Sequence, residues 1–343
     1  MGTASQSGIV ENRNIVTVEN LKIHFPLKGG QTVKAVDGVS FQIRAGETIG
    51  IIGESGSGKS TVGRALVGLL KPTEGTLRYG NADISELSAA EYKRLRKNYQ
   101  IIFQDPHSAL NPRMTILQSL VEPMEIQNEG TRESRRQTAL AALERAGLAP
   151  EIALRHPHEL SGGQKQRINI ARALTVHPQF IVCDEVVAAL DVSVRGSILN
   201  LFADLQEELG LTYAFITHDI SVVAHVSQRV GVMYLGNMME LGPTDAVIEN
   251  PLHPYTQALL SAEPRPVPSD MRKDRRIHLK GEIPSPVAPP SGCRFRTRCP
   301  FATEKCAAEV PQWREILPNH WVACHYATPE GPMEWPSATT RNT

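Results

Sequence analysis

Residues 53–60 read GESGSGKS, and the residues on either side decide what this stretch does. Before it, residues 48–52 form an apolar run that suits a strand buried on both faces of a mainly parallel sheet. After it, residues 61–67 are typical of a helix. Glycines let the backbone wrap closely and point N–H groups at phosphate oxygens, and the helix N-terminus adds a favourable dipole. The stretch therefore predicts a strand–loop–helix unit, a P-loop, that binds nucleotide phosphates; the alternative is a glycine-rich turn that binds nothing.

Two parts of the sequence supply chemistry to this loop. Lys59 would neutralise the β- and γ-phosphates, and the Ser60 hydroxyl would bind Mg²⁺. Residues 180–183 form a second buried strand, followed by Asp184 and Glu185. Asp184 is where a second Mg²⁺ contact belongs, and Glu185 is placed to polarise an attacking water. The alternative is that these two acids only cap the end of a strand.

A second candidate anion site lies far along the chain, at residues 160–164, which read LSGGQ. The helix that follows would again present its N-terminus to an anion. One nucleotide does not need two anion-binding sites from the same chain. Two copies facing head to tail would use both, which predicts a dimer whose closure depends on ATP.

These motifs together resemble the nucleotide-binding subunits of ABC transporters, and residues 15–262 cover that domain. Strands alternating with helices already indicate an α/β fold. The resemblance implies a P-loop ATPase with a RecA-like core of parallel strands and an antiparallel β subdomain. Residues 86–174 have a helical texture, and a helical subdomain is expected at about 105–175.

The resemblance also implies roles for single residues. Phe25 would stack on adenine, with core packing as the alternative, and Gln104 would sense Mg²⁺ and the γ-phosphate. His218 would hold the attacking water together with Glu185, which makes Glu185, His218 and Gln104 the catalytic set. Asp191 lies in a loop that would cross the dimer interface. The implied ATP contacts are Phe25, Gly53, Glu54, Ser55, Gly56, Ser57, Gly58, Lys59, Ser60, Thr61, Ser161, Gly162, Gly163, Gln164 and Asp191, and the implied Mg²⁺ contacts are Ser60, Gln104 and Asp184.

Two positions depart from the family pattern. Val186 stands where proline usually follows the catalytic glutamate, and Ala188 stands where the crossing loop usually begins with serine. Valine does not fix φ as proline does, and alanine lacks a hydroxyl that could bond across the interface. Because Glu185 is present, we still expect hydrolysis. The departures are expected to affect the efficiency of the partner's ATP site, which the loop of Asp191 adjoins.

Residues 250–260, NPLHPYTQALL, and residues 281–286, GEIPSP, resemble the dipeptide/oligopeptide/nickel branch of bacterial ABC importers. This implies an ATPase subunit for peptide import, peripheral on the cytoplasmic face of the inner membrane. Its implied partners are a second, non-identical ATPase, two permeases and an extracytoplasmic binding protein. Nickel or glutathione import is the alternative within the branch, and a non-transport ABC protein of translation or DNA repair is the alternative outside it. With 36 basic and 36 acidic residues, the chain has no charge surplus for nucleic acid, and no apolar run is long enough to span a membrane.

Four of the five cysteines fall near the end of the chain. We expect residues 1–14 to be frayed, residues 263–290 to form a proline-rich linker, and residues 291–343 to form a small extension that contains these cysteines. Four thiolates can bind a [4Fe–4S] cluster, and some importers of this branch carry one; zinc and unliganded thiols remain alternatives. We expect such a cluster to be a structural clip outside the ATPase step, with nearby basic residues offsetting its charge. The candidate ligands are Cys293, Cys299, Cys306 and Cys324, and the basic residues are Arg294, Arg296, Arg298 and Lys305.

Overall fold

A computed structural model describes residues 13–106, 108–263 and 277–335, which form two β-sheets and the helices packed on them. The strands are β1 (Asn14–Pro26), β2 (Thr32–Arg44), β3 (Thr48–Ile52), β4 (Glu74–Tyr79), β5 (Ala82–Asp83), β6 (Tyr99–Ile102), β7 (Phe180–Asp184), β8 (Thr212–Ile216), β9 (Arg229–Tyr234), β10 (Asn237–Pro243), β11 (Arg314–Leu317) and β12 (His320–Val322). The α-helices are α1 (Lys59–Leu66), α2 (Ala89–Asn98), α3 (Ile116–Ile126), α4 (Arg132–Arg145), α5 (Gly162–Leu174), α6 (Val192–Leu209), α7 (Ile220–Val226), α8 (Thr244–Glu249), α9 (Pro254–Ser261) and α10 (Glu304–Ala308), with 3-10 turns at Pro150–Leu154 and Pro157–Glu159.

The larger sheet has the order β11-β12-β10-β9-β3-β8-β7-β6. Strands β9, β3, β8, β7 and β6 run parallel, and every residue of β3, β7 and β8 is buried. Helices cover both faces of such a sheet, which is why these strands are apolar without alternation. The predicted α/β core with a parallel sheet is therefore confirmed, and all its parallel strands end at the edge where β3 leads into the P-loop.

The smaller sheet is antiparallel, in the order β2-β1-β4-β5. The sequence shows several short alternating runs between residues 15 and 43. The structure joins them into two long strands, β1 and β2, whose pairing register shifts at several points. Asn20, with φ 49°, lies at one of these irregularities. Such bulges interrupt the period of two, so one long strand looks like two short ones in the sequence.

The helical subdomain contains α3, α4 and α5, as predicted for residues 105–175. The wider helical reading of residues 86–174 was wrong at β6, which pairs with β7 at the edge of the parallel sheet. Tyr99 at the start of β6 packs its ring against Tyr79 and Phe180. Four residues are too few for a sequence period to separate such a strand from the end of α2.

The C-terminal extension shares its core with the rest of the protein. Strand β12 pairs with β10, and the β11–β12 hairpin thereby extends the larger sheet. Phe295 is fully buried against Tyr234 and Tyr255. The boundaries proposed at 262/263 and 290/291 remain predictions; residues 1–12, most of the predicted frayed segment, lie outside the described residues, as do 264–276 and 336–343. Within the residues described, no helix is long and apolar enough to cross a membrane.

Candidate active site

The P-loop runs from the end of β3 to α1, and its backbone explains its glycines. Gly53 and Gly58 have φ of 150° and 103°. A Cβ atom on Gly53 would lie 2.1 Å from the Met233 carbonyl oxygen, and one on Gly58 would lie 2.3 Å from that of Ala35. The loop is therefore pressed against neighbouring main chain at both ends, and only glycine fits there.

Lys59, the first residue of α1, is buried with its ammonium group inside the loop. Its Nζ donates hydrogen bonds to the carbonyl oxygens of Gly53 at 2.8 Å and Glu54 at 2.9 Å. Burial lowers the pKa of Lys59, and the nearby carboxylates of Glu185, Asp184 and Glu54 oppose that shift. The loop thus has a preplaced cation at the position where phosphates would bind.

Ser60 and Asp184, two of the three predicted Mg²⁺ ligands, are brought together. Ser60 Oγ donates to Asp184 Oδ1 at 2.9 Å, and burial raises the pKa of Asp184 against the opposing effects of that hydrogen bond and of Arg64. A hydroxyl and a carboxylate are the hard oxygen donors that Mg²⁺ prefers, and Mg²⁺ keeps waters on its other positions. The donor set therefore fits magnesium. Gln104 is exposed just beyond β6, at the same carboxyl edge of the parallel sheet.

Glu185 directly follows β7 and has an unusual backbone. Its φ is 51°, a left-handed conformation that costs free energy for a residue with a side chain. Its N–H donates to the Ile216 carbonyl at 2.8 Å, and its carbonyl accepts from the Ala188 N–H at 3.1 Å. His218 Nδ1 lies 3.3 Å from Glu185 Oε1. The structure thus pairs the carboxylate predicted to polarise the attacking water with the histidine predicted to hold that water.

The remaining predicted residues lie on other elements. Ser161 caps α5: Gln164 N–H donates to its Oγ, and Ser161 N–H donates back to Gln164 Oε1 at 3.0 Å. This capping box presents Ser161 at the surface. Asp191 is exposed at the start of α6. Phe25 lies near the end of β1 with 37% of its surface exposed, so the structure does not support the core-packing alternative.

The C-terminal extension contacts the P-loop directly, which sequence reasoning missed. Arg298 donates two hydrogen bonds to the Glu54 carboxylate, at 2.8 and 3.2 Å. Arg294 forms an ion pair with Asp37 of β2. The prediction that these arginines offset a cluster's charge was wrong for Arg294 and Arg298, because their guanidinium groups pair with carboxylates of residues 15–262 instead. An acidic residue inside a phosphate-binding loop was the signal that a counter-charge was needed.

The four C-terminal cysteines line one small cavity, with His325 and Tyr326 also in its wall. Burial raises the pKa of Cys293 to about 11 and that of Cys299 to about 12, and the neighbouring thiols contribute to both shifts. The thiols are therefore close enough to influence one another, and Cys293 and Cys299 are protonated at neutral pH. In the described ranges, however, no group of three or more His, Cys, Asp or Glu side chains has the arrangement to hold a metal ion.

Comparisons with known proteins agree with this geometry. The ABC transporter family matches residues 36–188, and the C-terminal region of oligopeptide/dipeptide transporters matches residues 239–306. The oligopeptide transport ATP-binding protein AppF of Bacillus subtilis is 51% identical over 332 residues, which are 95% of this chain and 99% of that protein. The chain belongs to the ABC transporter family. It is an ATPase of that family, and the resemblance predicted from its motifs is confirmed.

Solved ABC cassettes have the same fold. The ATP-binding cassette MJ0796, in a dimeric post-hydrolysis state bound to ADP and Pi, is 33% identical with a TM-score of 0.61; the match covers 67% of this chain and 98% of that one. CbiO1 from Clostridium perfringens, part of the ABC transporter complex CbiONQ, is 31% identical with a TM-score of 0.62, covering 69% of this chain and 91% of that one. The two matches leave 33% and 31% of this ABC ATPase uncovered (100% less 67% and 69%).

Proposed function

We propose that this chain hydrolyses ATP to energise the import of peptides across the bacterial inner membrane. The observation that carries the proposal is the meeting, at one edge of the parallel sheet, of the Lys59 ammonium, the Ser60–Asp184 pair and the Glu185–His218 pair. Peptide as cargo is supported by the AppF identity, which extends through the C-terminal region. Nickel and glutathione are the alternative cargoes.

Each residue of the site has a proposed part in an in-line attack of water on the γ-phosphate. Lys59 neutralises phosphate charge, and Ser60 and Asp184 would hold Mg²⁺, which would supply positive charge to the reacting phosphates. The Glu185 carboxylate accepts a hydrogen bond from the attacking water and so orients it, and His218 fixes the carboxylate from its other side. Gln104, at the same sheet edge, would report occupancy to a partner.

We propose that the second half of each ATP site comes from another subunit. Ser161 and Asp191 are exposed at the N-termini of α5 and α6, and residues 162–164 are half-buried; neither helix carries the P-loop. A second, non-identical ATPase placed head to tail would bring such residues onto bound ATP. Val186 is buried, and two main-chain hydrogen bonds hold the turn at Glu185, so this turn keeps its shape without the family's proline.

A groove beside Gln104 suits a permease. It has a volume of about 940 Å³ and is lined by residues of α2, β6, α3 and α5 and by Phe103, which follows β6 and has 39% of its surface exposed. Because Phe103 directly precedes Gln104, a segment seated here would sense movement of that loop. We propose that each of two permeases docks in such a groove, that the chain is therefore peripheral on the cytoplasmic face of the membrane, and that an extracytoplasmic binding protein delivers the cargo.

We also propose that the cysteine cavity takes a [4Fe–4S] cluster. The donor chemistry fits, because four soft thiols line one cavity. In the described structure these thiols are not arranged to hold a metal ion, so cluster binding would require their side chains to turn inward and Cys293 to lose its proton. Anaerobic purification should give a brown protein with about four irons per chain. A colourless sample with one zinc per chain would mean that the cavity binds zinc and not an iron–sulfur cluster, and a sample with neither metal would refute both assignments.

Glu185→Gln tests the ATPase assignment in the assembled transporter. We expect it to bind ATP, to lose nearly all hydrolysis and to trap the closed dimer, whereas Lys59→Ala should lose nucleotide binding itself. Turnover within about threefold of wild type, under ~0.7 kcal/mol of barrier, would mean that another residue directs the water. Proteoliposome uptake of a peptide, compared with glutathione and Ni²⁺, identifies the cargo.

Ser161→Arg tests the head-to-tail arrangement. Photo-crosslinking of labelled ATP to each subunit should show that Lys59→Ala and Ser161→Arg empty different sites. Loss of the same subunit's nucleotide in both variants would contradict the arrangement.

A further inference from the structure

Two carboxylates lie beside the proposed ATP site, where they work against binding a polyanion. Glu54 is inside the P-loop, near enough to Lys59 for its charge to act on that ammonium group. Asp37 lies in β2 and contacts His24 Nε2 at 2.9 Å, next to Phe25. Acids in a loop that binds phosphates repel the ligand unless a cation compensates them.

Both compensating cations come from the same turn of the C-terminal extension. Arg298 binds the Glu54 carboxylate through both Nη atoms, in the bidentate geometry that makes Arg–carboxylate pairs strong, and Arg294 pairs with Asp37. Glu54 keeps 25% of its side chain exposed and Arg298 keeps 9%. The pair is therefore partly desolvated and less screened than a surface pair.

The Arg298 side chain is fixed from several directions. Its guanidinium carbon lies 5.8 Å from the centroid of the Tyr234 ring, and its Nη1 is 3.4 Å from the Tyr234 hydroxyl. Three residues earlier, Phe295 packs between Tyr234 and Tyr255, and the Tyr255 hydroxyl accepts the N–H of Glu54 at 3.0 Å. The extension thus binds the side chain of Glu54 directly, and its Phe295 packs against the α9 tyrosine that binds the Glu54 backbone.

We propose that Arg298 is a positioning residue of the ATPase: the C-terminal extension inserts its guanidinium to neutralise Glu54 inside the phosphate-binding loop and thereby sets the affinity for ATP. This rests on the ATP site proposed above. It assigns the extension a part in nucleotide binding, which differs from the clip outside the ATPase step expected from the sequence. Arg298 acts through Glu54 and touches no substrate atom.

The test separates charge compensation from simple structural support. In Arg298→Ala the carboxylate stays without its partner, so the KM for MgATP and the Kd of a fluorescent ATP analogue should each rise about tenfold, with kcat little changed. Glu54→Gln/Arg298→Ala should recover to within about threefold of wild type, because a neutral amide needs no cation. Arg298→Lys, which keeps the charge, should stay close to wild type.

The matched control is Arg296→Ala in the same turn, since the side chain of Arg296 hydrogen-bonds only to Ser291 in the described structure. It should leave KM and Kd unchanged. An unchanged KM in Arg298→Ala, or a double variant as weak as the single one, would overturn the proposal. If Arg298→Ala does not fold, Arg298→Lys decides the question. A tenfold rise in KM and Kd in Arg298→Lys, which keeps the charge, would also overturn the proposal. Lys59→Ala that still binds ATP would instead refute the ATP site, so the two failures are distinguishable.

Discussion

His253 is a buried base whose protonation should weaken the fold. It precedes α9, where its Nδ1 accepts the Tyr255 N–H at 3.0 Å, and only 1% of its surface is exposed. Its ring lies 5.9 Å from that of Phe295, in the contact between α9 and the extension. Burial lowers the pKa of His253 to about 3, so the folded protein keeps this imidazole neutral.

The size and sign of the effect follow from that shift. The unfolded chain has the ordinary pKa of 6.5 and takes up a proton below it, whereas the folded chain does not until about pH 3. The contribution to the free energy of unfolding is therefore complete above pH 6.5 and is lost as the pH falls toward 3. At about 1.4 kcal/mol per pH unit, the loss at pH 5 is about 2 kcal/mol.

Urea unfolding of the full chain under reducing conditions, between pH 5 and 8, measures this loss. His253→Asn replaces the imidazole with a capping side chain that does not titrate. The gap in unfolding free energy between wild type and His253→Asn should shrink by about 2 kcal/mol from pH 7.5 to pH 5. A matched control is His225→Asn, which removes an exposed imidazole of α7. A gap for His253→Asn that stays constant with pH would refute the reasoning.

Three further predictions concern stability, Mg²⁺ binding and ATP binding. Glu240→Ala should lower the free energy of unfolding by about 3–5 kcal/mol, because Glu240 is fully buried and accepts three hydrogen bonds. Glu208→Ala at the surface should lower it by less than about 1 kcal/mol, and equal urea midpoints for the two variants would contradict this. Ser60→Ala should raise the Mg²⁺ concentration needed for half-maximal hydrolysis, and an unchanged Mg²⁺ titration would remove Ser60 from the metal site. Gly58→Ala should abolish ATP binding, since its Cβ would lie 2.3 Å from a main-chain oxygen. The control Gly196→Ala has open space for its Cβ, so it should bind ATP normally and raise the free energy of unfolding by up to about 1 kcal/mol.

The sequence predicts best those parts whose signal is local. The strand before the P-loop, the helix after it and the acid after β7 each depend on neighbouring residues, and the structure has them at those positions. What could not be predicted depends on residues distant in sequence. Arg298 and Glu54 are separated by 244 positions, and neither hydrophobic periodicity nor a motif connects them. Likewise β12 has three residues and is a strand because it pairs with β11 on one side and with the distant β10 on the other.

The pairing of β12 with β10 has a consequence for how the protein is made. Glu240 emerges from the ribosome 80 residues before His320, the group that covers it. At bacterial elongation rates the interval is about 4–16 s. During that time the nascent chain displays an unpaired sheet edge with a carboxylate in its future core, which is the kind of surface that other chains can join. We therefore expect the nascent chain to be prone to association with other chains until its C-terminal hairpin has been synthesised.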